Sequence, residues 1–250
     1  MTKEEYPKLF GLIGKNIDYS FSRAYFSEKF EKEHLSNHSY VNFDLDKIEE
    51  FVGIKKKNPT LQGLNVTIPY KKAIIPYLDR LSEEAKAIGA VNTILWDKQG
   101  NSIGHNTDHT GFEKALREKT KNLPKKALIL GTGGASGAVR YALEKMGCEV
   151  IFVSRVPRQG QYGYQDLDAK RIDAVQLIVN STPVGTFPNI EMAPPIPYDL
   201  LHSNHLLFDL IYNPSQTRFM KNGEKQGAQT LNGYQMLVYQ AEKSWELWNQ

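Results

Sequence analysis

One stretch limits the possible folds of this chain more than any other. Leu128-Ile129-Leu130 is an all-apolar run that leads straight into Gly131-Thr132-Gly133-Gly134. Ala135 to Met146 then reads as a helix, Gly147 ends it, and Val150 to Val153 is apolar again. Strand, glycine loop, helix and strand within about 30 residues make a βαβ unit, which requires a parallel sheet with helices packed against it. The first glycine, Gly131, permits the tight turn, and Gly133 lets the backbone approach a phosphate. Gly134 and Ala135 open a helix whose unpaired N–H groups and positive dipole end face the same place. Ser136 stands where the third glycine of a dinucleotide fingerprint belongs, and Gly137 comes one place later. The competing reading is a tight strand–helix turn that binds nothing.

The type of nucleotide is read at the end of the second strand. An Asp or Glu there would hold the ribose 2′-hydroxyl of NAD; this chain has Ser154-Arg155, with Arg158 close behind. Arginine pairs with a 2′-phosphate and stacks on adenine, so NADP(H) is expected unless both arginines are merely solvated.

The rest of the chain repeats the strand–helix alternation. Leu9 to Gly14, Tyr40 to Leu45 and Leu64 to Ile68 suit strands, the last stopped by Pro69. Helices are expected from Ser22 to His34, after a cap at Asp46, from Lys71 to Leu78, and from Ser82 to Ile88 with Ser82 as cap. Val91 to Trp96 and Ser102 to His105 form a hairpin around Lys98-Gln99-Gly100-Asn101. Leu177 to Val179 and Leu206 to Phe208 are further strands, Gly160 to Gly163 a surface loop, and Tyr234 to Leu247 a closing helix. The pattern belongs to the α/β class.

Composition excludes several alternatives. The chain's 250 residues are 40% hydrophobic, too apolar for a disordered chain and long enough for one large or two modest domains. A formal charge of +3 from 31 basic and 28 acidic residues does not suit a nucleic-acid binder. The lone Cys148, in an apolar run, reads as a small buried hydrophobe, and one cysteine cannot make an intrachain bridge. The histidine spacings His105–His109 and His202–His205 lack a cysteine partner set, so no metal is expected. No apolar stretch approaches the ~18 residues of a membrane span, and Met1 to Tyr6 has no apolar signal core. A cytoplasmic, membrane-free protein is expected.

Polar groups gather where strands end, which is where open α/β sheets bind ligands. Ser20 and Ser22, two apart, can turn toward one carboxylate. Lys71 and Asp108 can act as a couple that passes a proton to an oxygen formed by hydride transfer. Taken singly, these residues are a turn, a cap or a solvated lysine.

In order, however, the segments resemble the shikimate dehydrogenase family over nearly the whole chain. Ser20-x-Ser22, Asn65-Val66-Thr67-x-Pro69-x-Lys71, Gly89-Ala90-Val91-Asn92-Thr93 and Gly104-x-Asn106-Thr107-Asp108-x-x-Gly111-Phe112 come first. Gly131-Thr132-Gly133-Gly134-Ala135, Ser154-Arg155 and Asn180-Ser181-Thr182-Pro183-Val184-Gly185 follow. Asp209-x-x-Tyr212-Asn213-Pro214 with Thr217, and Asn232-Gly233-x-x-Met236-Leu237-x-x-Gln240-Ala241, complete the series.

The resemblance implies NADPH-dependent reduction of 3-dehydroshikimate to shikimate, on the way to chorismate and the aromatic amino acids. It implies an N-terminal α/β substrate domain over residues 1–105, completed by the C-terminal helix at about 232–250. A Rossmann-type NADP-binding domain over 106–231 and a cleft between the two domains are also implied. Lys71 and Asp108 match the catalytic pair, with Lys71 either proton donor or electrostatic stabiliser. Ser20 and Ser22 would bind the substrate carboxylate, and Asn65, Thr67, Asn92, Tyr212 and Gln240 would contact or flank its hydroxyls. Gly131, Gly133, Gly134, Ala135, Ser154, Arg155, Arg158, Thr182, Leu210 and Gly233 would hold the cofactor. Monomer and homodimer both suit such a fold. Four departures stand out: Tyr19 and Arg23 where the family usually has His and Pro, Ser154 before Arg155 where Asn is common, and Thr186 where methionine is usual. Two alternatives are kept: a quinate/shikimate dehydrogenase using NAD, and a catalytically silent NADP-binding regulatory protein.

Overall fold

In the computed structural model, which describes residues 6–18 and 20–250, the chain divides into two units. One runs to Thr107 and takes in Ala241–Gln250; the other is Asp108–Gln240. Among the described residues each unit is built on a six-stranded sheet.

In the first unit, β1 (Lys8–Gly14) pairs in parallel with both β2 (His38–Asp44) and β3 (Leu61–Val66). With β4 (Arg80–Leu81), β5 (Thr93–Trp96) and β6 (Ser102–His105) the order is β2-β1-β3-β5-β6-β4, β5 running antiparallel to its neighbours. The β5–β6 hairpin forms as expected, its turn held by the Asp97 carboxylate accepting the N–H groups of Gln99 and Asn101. Helix α1 (Phe21–Lys32) begins at Ser20, whose hydroxyl oxygen accepts the Ser22 N–H at 3.2 Å. It buries Phe26 and Phe30 against Phe10 and Leu12 of β1. Two short helices follow, α2 (Ile54–Lys57) and α3 (Tyr70–Ala73). Next comes α4 (Glu83–Ile88), which Ser82 caps by accepting the Ala85 N–H, as expected.

Two expectations fail here. Asp46 caps no helix. The segment after it is a 3₁₀ turn, Ile48–Gly53, whose start at Lys47 is closed by the Glu50 carboxylate reaching back to the Lys47 N–H at 2.9 Å. Asp46 instead pairs with Lys15. The helix from Lys71 to Leu78 also breaks. Helix α3 stops at Ala73 and a 3₁₀ turn, Ile75–Tyr77, takes over, because Pro76 has no N–H to donate to an α-helical bond.

The second unit contains β7 (Lys126–Leu130), β8 (Glu149–Ser154), β9 (Tyr162–Gly163), β10 (Leu177–Asn180), β11 (Leu206–Asp209) and β12 (Gln229–Leu231). All pairings are parallel, in the order β12-β11-β10-β7-β8-β9. Counted from β7, this is the doubly wound Rossmann order. The all-apolar run Leu128-Ile129-Leu130 in β7 now has a cause: both faces are covered. Ala127 and Ile129 face α5 (Asp108–Lys119) and α6 (Gly134–Lys145) through Phe112, Leu116, Val139 and Leu143. Leu128 and Leu130 face the opposite layer, with Ile172 of α7 (Ala169–Asp173) and Phe219 of α8 (Arg218–Glu224). A Cβ on Gly111 of α5 would lie 2.4 Å from the Met236 carbonyl oxygen of α9 (Tyr234–Trp248), so the two helices cross at backbone distance. The Gly160–Gly163 segment is more than a loop: its last two residues form β9, an edge strand on Val153 and Ser154.

Cys148 is buried in the α5–α6 layer, and burial, helped by Glu149, pushes its thiol up to about 11. The native protein should therefore leave a thiol reagent unreacted at pH 8, with one thiol per chain appearing in denaturant. Full labelling without denaturant would contradict this.

Candidate active site

In the second unit, β7, β8 and β10 end around one pocket of about 380 Å³. Its lining comprises Gly131, Thr132, Gly133, Ser154, Arg155, Tyr164, Ser181, Thr182, Pro183, Val184 and Pro195. It lies at the carboxyl ends of the strands, where the strand order reverses between β7 and β10. Gly131 has φ 97°, and a Cβ there would come within 2.8 Å of the Thr182 methyl. A Cβ on Gly133, the N-cap of α6, would meet nothing within 4 Å, leaving space for a phosphate over the helix N-terminus. Ser136 is accommodated because its buried hydroxyl donates to the Gly133 carbonyl at 2.6 Å. Gly134 and Ala135 open α6.

Arg155 lines the pocket from the end of β8, and none of the described lining residues is acidic. Arg158 stands outside this lining, on an exposed turn closed by Gln161. Leu210 and Gly233 lie together past the end of β11: a Cβ on Gly233 would overlap the Leu210 carbonyl oxygen at 2.1 Å. A larger pocket of about 420 Å³ on this unit shares no residue with the first. Two of its three cations, Lys126 and Arg171, already pair with Glu149 and Asp168; the third is Lys170.

The pocket wall is held from below by a buried carboxylate. Thr182 donates its hydroxyl to Asn180 Oδ1 at 2.6 Å, and Asn180 Nδ2 donates to Asp209 at 3.0 Å. Asp209 also accepts from the Thr217 hydroxyl at 2.6 Å and the Ile211 N–H at 3.1 Å. Burial raises Asp209 to about 6, against those three hydrogen bonds. A carboxyl raised in the folded state keeps its proton where the unfolded chain has lost it, so folding stability falls as pH rises from about 4 to about 6. Asp209→Asn removes that titration. Between pH 4 and pH 7 the stability difference should shift toward the variant by on the order of 2–3 kcal/mol, read by urea unfolding at each pH. A pH-independent difference would refute it.

The first unit gathers a buried polar network behind its sheet. Asn65 is 4% exposed and donates to the Asn92 carbonyl at 3.2 Å and the Ser244 hydroxyl at 3.0 Å. The Asn92 side chain bridges to Thr107, accepting its N–H at 2.6 Å and donating to its hydroxyl at 2.9 Å. Asn65 and Asn92 are thus engaged with the protein itself. Ser20, half-buried, uses an oxygen lone pair as the α1 cap and keeps its O–H to donate. Ser22 is half-buried two residues on. Thr67 is half-buried beside Gly14, and Lys71 is half-buried in α3, its carbonyl accepting the Val91 N–H at 2.7 Å. Asp108 is the buried first residue of α5, Tyr212 follows β11, and Gln240 is a buried residue of α9. Of the departures, Arg23 is exposed in the first turn of α1, and Thr186 donates to the Asn213 carbonyl at 3.3 Å. Tyr19 lies outside the described residues.

Sequence reasoning missed Thr132, Tyr164, Ser181, Pro183, Val184 and Pro195 in the pocket. Three of them belong to the Asn180–Gly185 motif and could have been found there. Tyr164 and Pro195 arrive on loops with no local signal.

A parallel sheet in this order, a glycine loop at its switch point and an arginine after the second strand define a Rossmann-type dinucleotide-binding protein of the NADP class. Residues 12–94 match the family model for the shikimate dehydrogenase substrate binding domain. The chain is 40% identical to the shikimate dehydrogenase (NADP(+)) of Methanococcus maripaludis, covering 96% of this chain and 91% of the relative. It therefore belongs to the shikimate dehydrogenase family. Among solved structures it resembles Thermus thermophilus shikimate dehydrogenase in complex with NADP(H) and shikimate (32% identity, TM-score 0.83, 96% and 93% covered). It also resembles the quinate dehydrogenase of Corynebacterium glutamicum in complex with NAD (28% identity, TM-score 0.85, 98% and 94% covered).

Proposed function

We propose that this chain is an NADP-dependent shikimate dehydrogenase that reduces 3-dehydroshikimate to shikimate, reversibly, in aromatic amino acid biosynthesis, as a cytoplasmic enzyme. The observation that carries NADP over NAD is the glycine-loop pocket with Arg155 in its wall and no acidic group among its described lining residues. The left-handed Gly131 and the open space at Gly133 suit a pyrophosphate. When bound, the dinucleotide supplies the hydride.

The chain's own residues do the rest. Ser20 and Ser22 hold the substrate carboxylate, each with an O–H to donate. Thr67, Asn65, Asn92, Tyr212 and Gln240 contact the substrate hydroxyls or hold those that do. As the carbonyl carbon is reduced, its oxygen gains negative charge. The Lys71 ammonium stabilises that charge and gives up a proton to it, and Asp108 is its carboxylate partner. Thr182, Leu210 and Gly233 border the nucleotide with the glycine loop, and Arg155, with Arg158 beyond it, meets the 2′-phosphate.

The test is absorbance of the reduced cofactor on mixing the protein with shikimate or quinate and NADP⁺ or NAD⁺. Shikimate with NADP⁺ is expected to be the preferred pair. A preference for quinate or NAD⁺ overturns the substrate or cofactor assignment. NADP⁺ binding without turnover makes the chain a silent regulatory relative.

A further inference from the structure

Asp209, the last residue of β11, is wholly buried, and the reaction as proposed gives it no task. The three groups hydrogen-bonded to it come from three places: Asn180 at the end of β10, Ile211 just past β11, and Thr217 at the start of α8. All three are donors. A carboxylate has no proton to give, so Asn180 faces it with Nδ2. Asn180 Oδ1 is thereby turned to Thr182, from which it accepts the N–H at 3.1 Å and the hydroxyl at 2.6 Å.

The same amide fastens the rest of the turn. Asn180 Nδ2 also donates to the Val184 carbonyl at 3.3 Å, and Thr182 Oγ1 accepts the Val184 N–H at 3.2 Å. Thr182, Pro183 and Val184 form one wall of the glycine-loop pocket, and the Thr182 methyl stands against Gly131. The next loop is tied to the same point. The Asn180 carbonyl accepts the Leu210 N–H at 3.0 Å, and Ile211, held by Asp209, accepts the Gly233 N–H at 3.0 Å. Reversing the Asn180 amide would set a donor against the Thr182 N–H, so the carboxylate that selects its orientation governs the wall.

We infer that Asp209 is a positioning residue for the dinucleotide: it sets the Asn180 amide, and through it the wall that borders the part NADP⁺ and NAD⁺ share. The inference rests on the glycine-loop pocket being the nucleotide site, as proposed above. A residue that only held the fold together would, when lost, lower the folded fraction and with it the apparent kcat. A positioning residue changes the dissociation constant of the protein that remains folded.

Calorimetric titration with NADP⁺ and with NAD⁺ at pH 8, where Asp209 is ionised, reads this directly. Asp209→Ala should raise both dissociation constants about ten-fold and leave their ratio within about two-fold of the parent. Asp209→Asn keeps an acceptor for Asn180 and Ile211 and turns its own amide to the Thr217 oxygen, so binding should stay within about three-fold. Thr182→Val keeps the shape of the wall and cuts the link from the pocket side, which serves even where Asp209→Ala fails to fold. It should raise both constants about five-fold alone, and less than about two-fold further on Asp209→Ala, because the two act through one amide. Three outcomes overturn the inference: constants unchanged within about two-fold in folded Asp209→Ala or in Thr182→Val, a rise for NADP⁺ alone, or Asp209→Asn as impaired as Asp209→Ala. A parent that binds neither nucleotide brings down the proposed function and this inference together. A parent that binds NADP⁺ but turns over no shikimate brings down the activity alone, and the dissociation constants still decide the role of Asp209.

Discussion

Replacing Lys71 with alanine lowers kcat for shikimate oxidation about a thousand-fold and moves KM only a few-fold. A positioned acid–base group contributes roughly 10²–10⁴ in rate, and a charge that stabilises the developing oxyanion acts on the same step. Both roles are exerted mainly in the transition state, so kcat takes the loss. The substitution is a clean one. The backbone of Lys71 is held by the Val91 N–H at 2.7 Å, and α3 buries Tyr70 rather than Lys71, so truncating the side chain leaves the turn in place. Steady-state kinetics with circular dichroism as a folding control decides the matter. A normal kcat with only a raised KM would make Lys71 a binding residue.

Arg155→Ala raises the KM for NADP⁺ about thirty-fold and leaves that for NAD⁺ within about three-fold. Hydrogen bonds to a charged group contribute about 1.5–3 kcal/mol, which is roughly a 10- to 150-fold change in affinity. Arg155 is exposed at the end of β8, so its loss leaves the sheet and its core contacts untouched. The discrimination comes from one phosphate that NAD⁺ lacks, so the ratio of the two KM values is the sensitive readout. A parallel rise for both nucleotides would assign Arg155 to the adenine ring, and no change for either would make it a solvated cation.

The parts of the fold that could be read from sequence were those in which burial writes a local pattern. Leu128-Ile129-Leu130 is apolar without alternation because both faces of β7 are covered, and Ser82 reads as a cap because its oxygen does accept a helix N–H. Asp46 has the same chemistry but lost the helix start to Glu50, whose longer side chain closes a tighter turn from inside. Strand β9 is two residues long and exists because β8 offers it an edge, which no window of sequence reveals. Helix α5 went unassigned although Phe112, Ala115 and Leu116 fall on one helical face. In the glycine-loop pocket, the glycines and Arg155 stand at fixed offsets from a strand and were legible. Tyr164 and Pro195 depend on how later loops pack.

The course of the chain carries a consequence for biosynthesis. The second unit is continuous in sequence, whereas the first is closed by Ala241–Gln250. Those last residues bring Ser244 to Asn65 and lay Trp248 over Gly63, its indole N–H donating to the Ile94 carbonyl at 3.1 Å. On the ribosome the nascent chain has already synthesised the whole Rossmann sheet before the first-made strands receive their final covering. The part translated first is therefore the last to be finished, the reverse of the usual N-terminal-first order of domain folding.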